Sequence, residues 1–389
     1  DKRVQSVKLG SIIHLEKGKK AIKLSSVAQN GWLPYVDIHT FETKAVANFT
    51  DGEKCLPCKN GEILIVCDGS RSGLVGKAID GYVGSTLAKI SAEGVIPEYL
   101  FYYLQEKYPK LNTQKKGTGT PHLNQALLKD EIINIPSVDE QFHTVAYIDE
   151  IFLELDKVVD TLKTTKEQLE VYRQAVLVDI FSQEYPLRQL KEISVALSGF
   201  AFKSKNYTPD GKYTVIKIGN VKDGYLDFSR DKTRTNEVTD KILQKYLLKQ
   251  GDCLITLTGT RGKRDYGFVS MIERQTDYLL NQRVAALRFD TMIALPEFFR
   301  YYLSSLNYRN QFFKYETGNV GQGNVGIKAL CEPAVPCPPL DTQKKIVDQI
   351  SDRLSVCDSI EKTVNTALAQ ADAMRQSILK QAFEAEKKV

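Results

Sequence analysis

Long apolar runs are absent from this chain of 389 residues. A helix that crosses a bilayer needs about 20 consecutive apolar residues, and no stretch of the sequence approaches that length. The first ten residues, DKRVQSVKLG, also lack the apolar core of a signal peptide. The sequence therefore predicts neither membrane insertion nor export.

Cysteine is scarce and scattered. An odd number of Cys, seven, spread along the chain favours a reducing compartment, so we expect a cytoplasmic protein. Cys55 and Cys58 form a C-x-x-C pair, which is typical of zinc or redox sites. Zinc needs two further ligands, but only Cys67 lies near, and the nearest His is His39. We therefore expect buried thiols and no metal site.

Signatures of enzymes are missing or incomplete. GSRSGLVGKA and TGTRGKR approach a P-loop, but the first Gly is misplaced or the last residue is wrong. The run CPPL at 337–340 lacks both the leading Asn or Asp and the closing aromatic residue of an adenine amino-methyltransferase. The four His show no metal spacing and no nucleophile partner. We expect no catalytic residue and no cofactor in this chain.

Length and charge set broad limits. A chain of 389 residues is too long for one ordinary core and suits two or more domains. Lys and Arg number 53 against 48 Asp and Glu, which gives a net charge of +5. This mildly basic balance permits nucleic-acid binding without requiring it.

The chain repeats itself from end to end. RQAVLVDIF at 173–181 recurs as RQSILKQAF at 375–383, an offset of 202 residues. Three further blocks recur in the same order: PSVDEQ (136–141) with PPLDTQ (338–343), PEYLFYYL (97–104) with PEFFRYYL (296–303), and NGEILIVCDGSR (60–71) with QGDCLITLTGTR (250–261). LGSIIHLEKG (9–18) matches LKEISVALSG (190–199) more loosely. Preserved order predicts two copies of one unit.

Each copy predicts the same series of elements. Short β-branched runs punctuated by Gly come first, followed by a helix that opens on Pro, a Gly-rich loop and a long helix. The fold class is therefore α+β, with two β-rich regions and two long helices.

Apolar residues at 3–4 spacing form one stripe on each long helix. The stripes are Val145, Ile148, Phe152, Leu155, Val159, Leu162, Lys166, Leu169, Arg173, Val176, Ile180 and, 202 residues later, Val347, Ile350, Leu354, Cys357, Glu361, Val364, Leu368, Ala371, Arg375, Ile378, Ala382. Two such helices, each about 66 Å long, can bury their stripes in a coiled coil. The chain returns from the second β-rich region, so we expect an antiparallel pair, an approximate two-fold axis, and a pairing of Lys166 with Glu361.

This organisation resembles the specificity (S) subunit of type I restriction–modification systems. The residues that carry the resemblance are PSVDEQ and PPLDTQ before the helices, G-D/E-x-L-I before a Gly-Ser/Thr-Arg turn, GTGTPHLN, and the closing RQSILKQAFE. The resemblance divides the chain into a target recognition domain at 1–138, a helix at 139–184, a second target recognition domain at 185–340 and a second helix at 341–389.

The resemblance also implies a function. Each target recognition domain would read half of a split, asymmetric DNA site, and the helices would set the gap. Two methyltransferase (M) subunits, which hold S-adenosylmethionine, would dock on the helices, and restriction (R) subunits, which use ATP and Mg, would join them. Two alternatives stay open: a coiled-coil scaffold that reads no DNA, and the specificity subunit of a related type II-like fused system.

Three groups of loop residues are candidates for DNA contact, because Lys and Arg suit phosphate and Arg, Asn and Gln suit base edges. The turn after the GEILIVC or GDCLITL strand supplies Arg71, Ser72, Lys77, Arg261, Lys263, Arg264 and Tyr266. The Gly-rich loops supply Lys115, Lys116, Thr118, Thr120, His122, Asn319, Gln322 and Asn324. The third group is Lys19, Lys20, Lys203, Lys205, Asn206, Arg230 and Arg234. Solvated basic turns and plain connecting loops are the alternative reading of the same residues.

Overall fold

A computed structural model describes residues 5–117, 121–319 and 321–385. The chain forms two compact units: unit 1 is Asp1–Lys163 with Asn365–Val389, and unit 2 is Thr164–Val364. Each unit holds one β-rich region and a segment of both long helices. The compact units therefore differ from the consecutive domains into which the sequence divides, because each helix contributes to both. The α+β class is confirmed.

Unit 1 contains ten strands, three complete α-helices and parts of both long helices among its described residues. In chain order they are β1 (Gln5–Lys8), β2 (Ile13–Lys17), β3 (Leu33–Val36), α1 (Ile38–Thr43), β4 (Phe49–Thr50), β5 (Leu56–Cys58), β6 (Ile63–Val66), β7 (Val75–Lys77), β8 (Gly81–Val83), β9 (Leu87–Ala92), α2 (Pro97–Thr113), α3 (Gln125–Asp130), β10 (Ile132–Ile135) and α4 (Val138–Phe181), whose last part lies in unit 2. The strands form sheets with the orders β2-β9-β6-β7, β4-β3-β8-β5 and β1-β10.

Unit 2 repeats this series with a longer insertion before its central strand. Its elements are β11 (Leu187–Gln189), α5 (Leu190–Ile193), β12 (Ser194–Ser198), β13 (Tyr213–Ile216), β14 (Arg234–Thr235), α6 (Asp240–Tyr246), β15 (Cys253–Thr256), β16 (Thr258–Gly259), β17 (Val269–Met271), β18 (Tyr278–Leu280), β19 (Val284–Phe289), α7 (Pro296–Ser304), α8 (Leu306–Phe312), β20 (Gly323–Asn324), α9 (Ile327–Leu330), β21 (Ala334–Pro336) and α10 (Leu340–Ala385), whose last part lies in unit 1.

The two units share one sheet topology. The sheet β12-β19-β15-β17 has the same order as β2-β9-β6-β7, and β14-β13-β18 corresponds to β4-β3-β8. In both units the pair β3–β8 or β13–β18 is parallel, whereas the pairs of the first sheet are antiparallel. The repeat seen in the sequence is therefore a repeat of the fold.

The central strand of each unit is buried on both faces. Along β6, Ile63 and Ile65 face one apolar cluster, and Leu64 and Val66 face another. Successive side chains of a strand point to opposite faces, so a strand between two cores must be apolar at every position. This explains why the runs ILIV and CLIT show no alternation of apolar and polar residues.

The long helices pack through the predicted stripes. Every stripe position on α4 and α10 is buried or half-buried. Near the ends the buried side shifts by one residue, and Leu177, Phe181, Leu379 and Phe383 become buried as well. A straight α-helix drifts relative to a strict heptad repeat, so the contact leaves the stripe as the helix reaches the β-rich region.

Ion pairs within each unit show that the helices are antiparallel. In unit 2, Arg173 of α4 binds Asp358 at 2.7 Å and Glu361 at 3.0 Å, and further along Asp179 binds Arg353 at 2.9 Å. Residue numbers rise on one helix as they fall on the other, which confirms the expected direction. The pairing of Lys166 with Glu361 stays a prediction; the partner seen for Glu361, Arg173, lies one heptad further along.

The same ion pair recurs in unit 1. Arg375 of α10 binds Asp156 of α4, and its guanidinium lies 4.8 Å from the centre of the Phe152 ring. Arg375 and Asp156 are the residues that the 202-residue offset relates to Arg173 and Asp358. The repeated arginine thus joins the two long helices in both units.

A buried glutamine explains the repeated motif before α4. Gln141 accepts a hydrogen bond from the backbone N–H of Ile96 at 2.8 Å. Its amide group donates to the carbonyl oxygens of Gly94 and Pro136, both at 3.1 Å. The side chain therefore ties the start of α4 to the turn that begins α2.

Gln343 repeats this arrangement in unit 2. It accepts from the N–H of Leu295 at 2.7 Å and donates to the carbonyls of Ile293 and Pro338 at 2.9 and 2.7 Å. The final Q of PSVDEQ and PPLDTQ is thus a structural residue that orients each long helix against its β-rich region.

The closing Phe of each repeated helix motif also has a structural role. Phe383 packs edge-on against Tyr99 and Tyr103 of α2, with ring centres 5.1 and 5.6 Å apart. Phe181 makes the equivalent contacts with Phe298 and Tyr302 of α7. Each β-rich region is therefore closed by a residue from the helix of the other sequence copy.

Candidate nucleic-acid interface

Two of the predicted loops in unit 1 form one surface. The N–H of Gly69 donates to the carbonyl of Pro121 at 2.8 Å, and the N–H of Leu123 donates to that of Cys67 at 2.7 Å. Lys116 and His122 exchange a pair of backbone hydrogen bonds. We call residues 17–20, 67–73, 112–117 and 121–122 the first loop surface.

Four predicted basic residues lie on or beside this surface. Arg71 is exposed and forms an ion pair with Glu42. Lys115 donates its ammonium to the carbonyl of Ser70 at 2.9 Å. Lys116 is exposed, and Lys77, on the neighbouring strand β7, extends over the ring of Phe101 at 5.6 Å. These contacts leave positive charge at the surface.

Ser72 is a wrong prediction. Its side chain is fully buried, and its hydroxyl lies 2.7 Å from the carbonyl of Gly69 and within 3.3 Å of those of Cys67 and Pro121. It holds the two loops together from beneath and offers nothing to a ligand. Thr118 and Thr120, which were also predicted to contact DNA, lie outside the described residues.

His122 belongs to a small ionic cluster. Its Nδ1 lies 2.7 Å from Oδ1 of Asp68, and the ammonium of Lys17 lies 2.8 Å from Oδ2 of the same carboxylate. Burial alone would raise the pKa of Asp68, but the hydrogen bonds from Lys17 and His122 hold it below its ordinary value. Sequence reasoning missed Lys17 and Asp68, although Lys17 begins the basic run that continues with the exposed Lys19 and Lys20.

Unit 2 joins its two loops in the same way. The N–H of Val325 donates to the carbonyl of Leu257 at 2.9 Å, at positions equivalent to Leu123 and Cys67. The strands β16 and β20 then pair Thr258 with Asn324. We call residues 257–267, 316–319 and 321–325 the second loop surface.

Predicted residues on the second loop surface are mostly exposed. Arg261 donates to the carbonyl of Gly318 at 2.5 Å, and Arg264 donates to the side-chain oxygen of Asn310 at 3.0 Å. Lys263, Asn319 and Gln322 are exposed. Asn324 is half-buried, with its backbone engaged by Thr317 and by β16.

Tyr266 is the second wrong prediction. Its side chain is 1% exposed, and its hydroxyl donates to Oε1 of Glu316 at 2.8 Å. Burial, together with that bond, raises the pKa of Tyr266. The ring packs against Phe312 and Phe313, so Tyr266 supports the loop and does not face solvent.

Arg309 also supports the second loop surface, and sequence reasoning missed it. Its guanidinium donates to the carbonyls of Gly267, Arg264 and Tyr266 at 2.9–3.1 Å. Burial lowers its pKa, and it packs against the ring of Phe313. Nothing in its sequence context, LNYRNQF, distinguishes this arginine from a solvated one.

The third predicted group of unit 2 comes together at a different pair of segments. The N–H of Thr208 donates to the carbonyl of Arg234 at 3.0 Å, and the hydroxyl of Thr235 donates to the carbonyl of Asn206 at 3.0 Å. Lys203, Lys205 and Arg230 are exposed, whereas Asn206 and Arg234 are half-buried. The two segments around 203–208 and 230–235 therefore present one basic edge.

Metal-binding chemistry finds no support at the C-x-x-C pair. In the described parts of the chain, no three or more His, Cys, Asp or Glu residues are grouped so that they could hold a metal ion. Burial raises the pKa of the Cys58 thiol to about 11. Among the helices of the described residues, none is long and apolar enough to cross a membrane.

The fold and the loop surfaces define a class of protein in which two similar β-rich regions alternate with two long helices. A family model described as the type I restriction modification DNA specificity domain matches residues 1–171 and 183–370. The chain belongs to this family, which confirms the resemblance found in the sequence.

Two curated relatives extend the comparison. The type I restriction enzyme MjaVIII specificity subunit of Methanocaldococcus jannaschii is 25% identical over 88% of this chain and 84% of its own length. The EcoBI specificity subunit of Escherichia coli is 21% identical over 84% of this chain and 73% of its own length.

A solved structure shares the fold. A chain from work on complex assembly and conformational transition of the type I R-M system matches with a TM-score of 0.66 and 18% identity. The match covers 98% of both chains, so the shared fold extends over nearly the whole molecule.

Proposed function

We propose that this chain is the DNA-recognition subunit of a type I restriction–modification enzyme, and that its two units read the two halves of a split, asymmetric sequence. The observation that carries the proposal is one topology that occurs twice, with different side chains on the two equivalent loop surfaces. Asp68 and His122 correspond to Thr258 and Asn324. The two units share one backbone arrangement but present different hydrogen-bond donors and acceptors, which suits the reading of two different half-sites.

The arginine common to both surfaces suits the DNA backbone. Arg71 and Arg261 occupy equivalent, exposed positions in the turn after the central strand. Contacts to phosphate position a protein without reading sequence, whereas contacts to base edges specify it. We therefore assign Arg71 and Arg261 to phosphate. The residues that differ between the surfaces, such as His122 and Asn324, are the candidates for sequence reading.

The helices suit a spacer that sets the gap between the half-sites. Each is continuous, with 44 residues in α4 and 46 in α10, and each contributes to both units. The curated relatives are named as specificity subunits of type I restriction enzymes. By that likeness, two M subunits with S-adenosylmethionine would dock on the helices, and R subunits with ATP and Mg would complete the enzyme in the cytoplasm.

Exposed apolar residues on the helices support docking of two similar partners. Val158 and Ile360 are 53% and 40% exposed, and Tyr172 and Met374 are 46% and 53% exposed. Each pair is related by the 202-residue offset. Apolar side chains exposed at equivalent positions suit two copies of one partner. Catalysis would then reside in the partners, and this chain would select the sequence.

The test is co-expression of the chain with the M subunit of its system, followed by genome-wide mapping of methylated adenine. We expect one split, asymmetric motif. Methylation that does not depend on this chain would contradict the proposal. A complex that forms but has no affinity for duplex DNA at any salt concentration would support the scaffold alternative.

Salt dependence tests the phosphate assignments in the same complex. Arg71→Gln and Arg261→Gln should each lower the slope of log affinity against log salt by about one, for all DNA sequences alike. Arg274→Gln, at an exposed position away from both loop surfaces, is the matched control and should leave the slope unchanged.

A further inference from the structure

The cluster of His122, Asp68 and Lys17 leaves one ring nitrogen of the histidine available. Both oxygens of the Asp68 carboxylate are occupied, one by Nδ1 of His122 and the other by Lys17. An ionised carboxylate only accepts hydrogen bonds, so Nδ1 of His122 carries the hydrogen. Nε2 is then the ring atom left for a ligand. The side chain is 56% exposed, and Nε2 has no partner among the residues that the structure describes.

Backbone hydrogen bonds join the two loops in addition to this cluster. Backbone hydrogen bonds already link Gly69 to Pro121, Leu123 to Cys67, and Lys116 to His122. The equivalent loops of unit 2 are linked by the same backbone bonds and, in addition, by two charged side chains: Arg261 donates to the carbonyl of Gly318, and Glu316 accepts from the hydroxyl of Tyr266.

The neutral counterparts in unit 2 make this comparison direct. The positions equivalent to Lys17, Asp68 and His122 hold Ser198, Thr258 and Asn324. Thr258 and Asn324 belong to the strand pair that joins the second loop surface. The cluster with a histidine ring directed at the surface is therefore particular to the first loop surface.

We propose that His122, in its protonated form, donates a hydrogen bond from Nε2 to an acceptor of the DNA at the first half-site. The inference rests on the proposed function and identifies a DNA-contacting residue within it. The acceptor is a phosphate oxygen or the O6 and N7 edge of a guanine, which share the same chemistry toward an N–H donor. Asp68 is a positioning residue, because it orients the ring and stabilises its positive charge.

Binding of DNA should draw a proton onto His122. Asp68 is the anion that contacts the ring, whereas Lys17 and Lys116, and Lys115 and Arg71 on the same loops, are cations that oppose added positive charge on this surface. The thiol of the buried Cys67 is neutral, because burial raises its pKa to about 11. DNA phosphates offset the opposing cations, so the bound state favours the protonated ring.

The experiment measures duplex affinity of the complex with M subunits between pH 6 and 8.5 at constant salt. For the wild type we expect affinity to fall as pH rises across this interval, by at most tenfold per pH unit. His122→Gln should bind about tenfold more weakly at pH 6, the scale of one hydrogen bond to a charged group, and should lose most of the pH dependence.

His14→Gln is the matched control. His14 is an exposed histidine of the same unit that contacts Glu93, outside the loop surface, so this variant should behave as the wild type. Asp68→Asn keeps the histidine but removes the carboxylate, and should shift the fall in affinity to lower pH. A His122→Gln complex with unchanged affinity and pH profile would overturn the inference.

Substituted duplexes separate the two acceptor sources. If His122→Gln weakens binding equally for every sequence, the acceptor is a phosphate. If the difference between variant and wild type disappears when one guanine of the first half-site is replaced, the acceptor is that base. Failure of the proposed function is distinct from either result, because the wild-type complex would then bind no duplex at any pH.

Discussion

Single buried polar residues decide how each long helix meets its β-rich region. Gln141 and Gln343 are both fully buried, and each bridges a turn N–H and two carbonyl groups. Such a side chain is irreplaceable by an apolar one of similar size, because the backbone groups that it satisfies would remain buried without partners.

We predict that Gln141→Leu lowers the free energy of unfolding by about 3 kcal/mol, since it leaves up to three backbone groups unsatisfied at roughly 1–3 kcal/mol each. Denaturant unfolding followed by circular dichroism would measure the change. Gln168→Leu, at an exposed position of the same helix, is the control and should stay within about 0.5 kcal/mol of the wild type. Equal stability of the two variants would show that Gln141 carries no such role.

Residue-level reasoning from the sequence was least reliable for loop residues with polar side chains. Ser72 and Tyr266 lie in the predicted turns but are buried, and they bind a set of carbonyl groups and Glu316, respectively. A hydroxyl in a Gly-rich loop looks the same in sequence whether it faces DNA or the loop beneath it. Which way it points depends on contacts with residues about 50 positions away, such as Pro121 or Glu316.

At the scale of elements, the long helices were predictable because their pattern is periodic and local. The stripe positions on α4 and α10 are buried or half-buried throughout, and Pro97 and Pro296 begin α2 and α7 as expected. The strands β6 and β15 gave a weaker signal. Both faces of each are buried, so their runs lack the alternation that identifies a half-exposed strand.

Helix length should set the gap between half-sites. We predict that inserting four residues into both helices, after Lys163 and after Val364, lengthens the preferred gap by about two base pairs, since four residues add about 6 Å of helix and one base pair occupies about 3.4 Å. Both points lie at the boundaries between the compact units, so the packing inside each unit is preserved. Methylated-adenine mapping would read the gap directly.

Insertion into only one helix serves as the control. It shifts Arg173 against Asp358, or Arg375 against Asp156, out of register and should destabilise the pair without a defined new gap. If the gap stayed the same when both helices were lengthened, the spacer role would be wrong.

At the scale of the whole molecule, the segments that follow one another in the chain are not the segments that pack together. The consecutive halves predicted by the repeat each begin with a β-rich region and end with a long helix. In the fold, however, Phe181 completes the core of unit 2, and Phe383 completes that of unit 1. Neither half of the sequence is therefore a complete packing unit.

This exchange predicts that a chain cut between Gln183 and Glu184, both exposed, remains one particle. Fragment 1–183 supplies most of unit 1 and Phe181 of unit 2, whereas fragment 184–389 supplies Phe383. Size-exclusion chromatography after cleavage at an introduced protease site should give one co-eluting peak.

Replacing both aromatic residues tests whether the buried rings of Phe181 and Phe383 hold the two fragments together. Phe181→Ala with Phe383→Ala removes two buried rings, at about 3–5 kcal/mol each, and should promote separation of the cut fragments. Phe142→Ala, at a residue 57% exposed on α4, is the control and should leave them associated. Separation of the unsubstituted fragments at micromolar concentration would contradict the exchanged packing.

The sequence by itself determined the duplication, the α+β class, the two long helices with their buried stripes, and the family. Each of these depends on local periodicity or on order along the chain, which a sequence records directly. Only the tertiary structure decided that the long helix of each sequence copy ends in the core of the other copy's β-rich region, that Ser72 and Tyr266 point inward, and that Asp68 and Lys17 contact or surround His122. Those outcomes depend on contacts between residues far apart in the chain, and such contacts are set by packing and hydrogen-bond satisfaction.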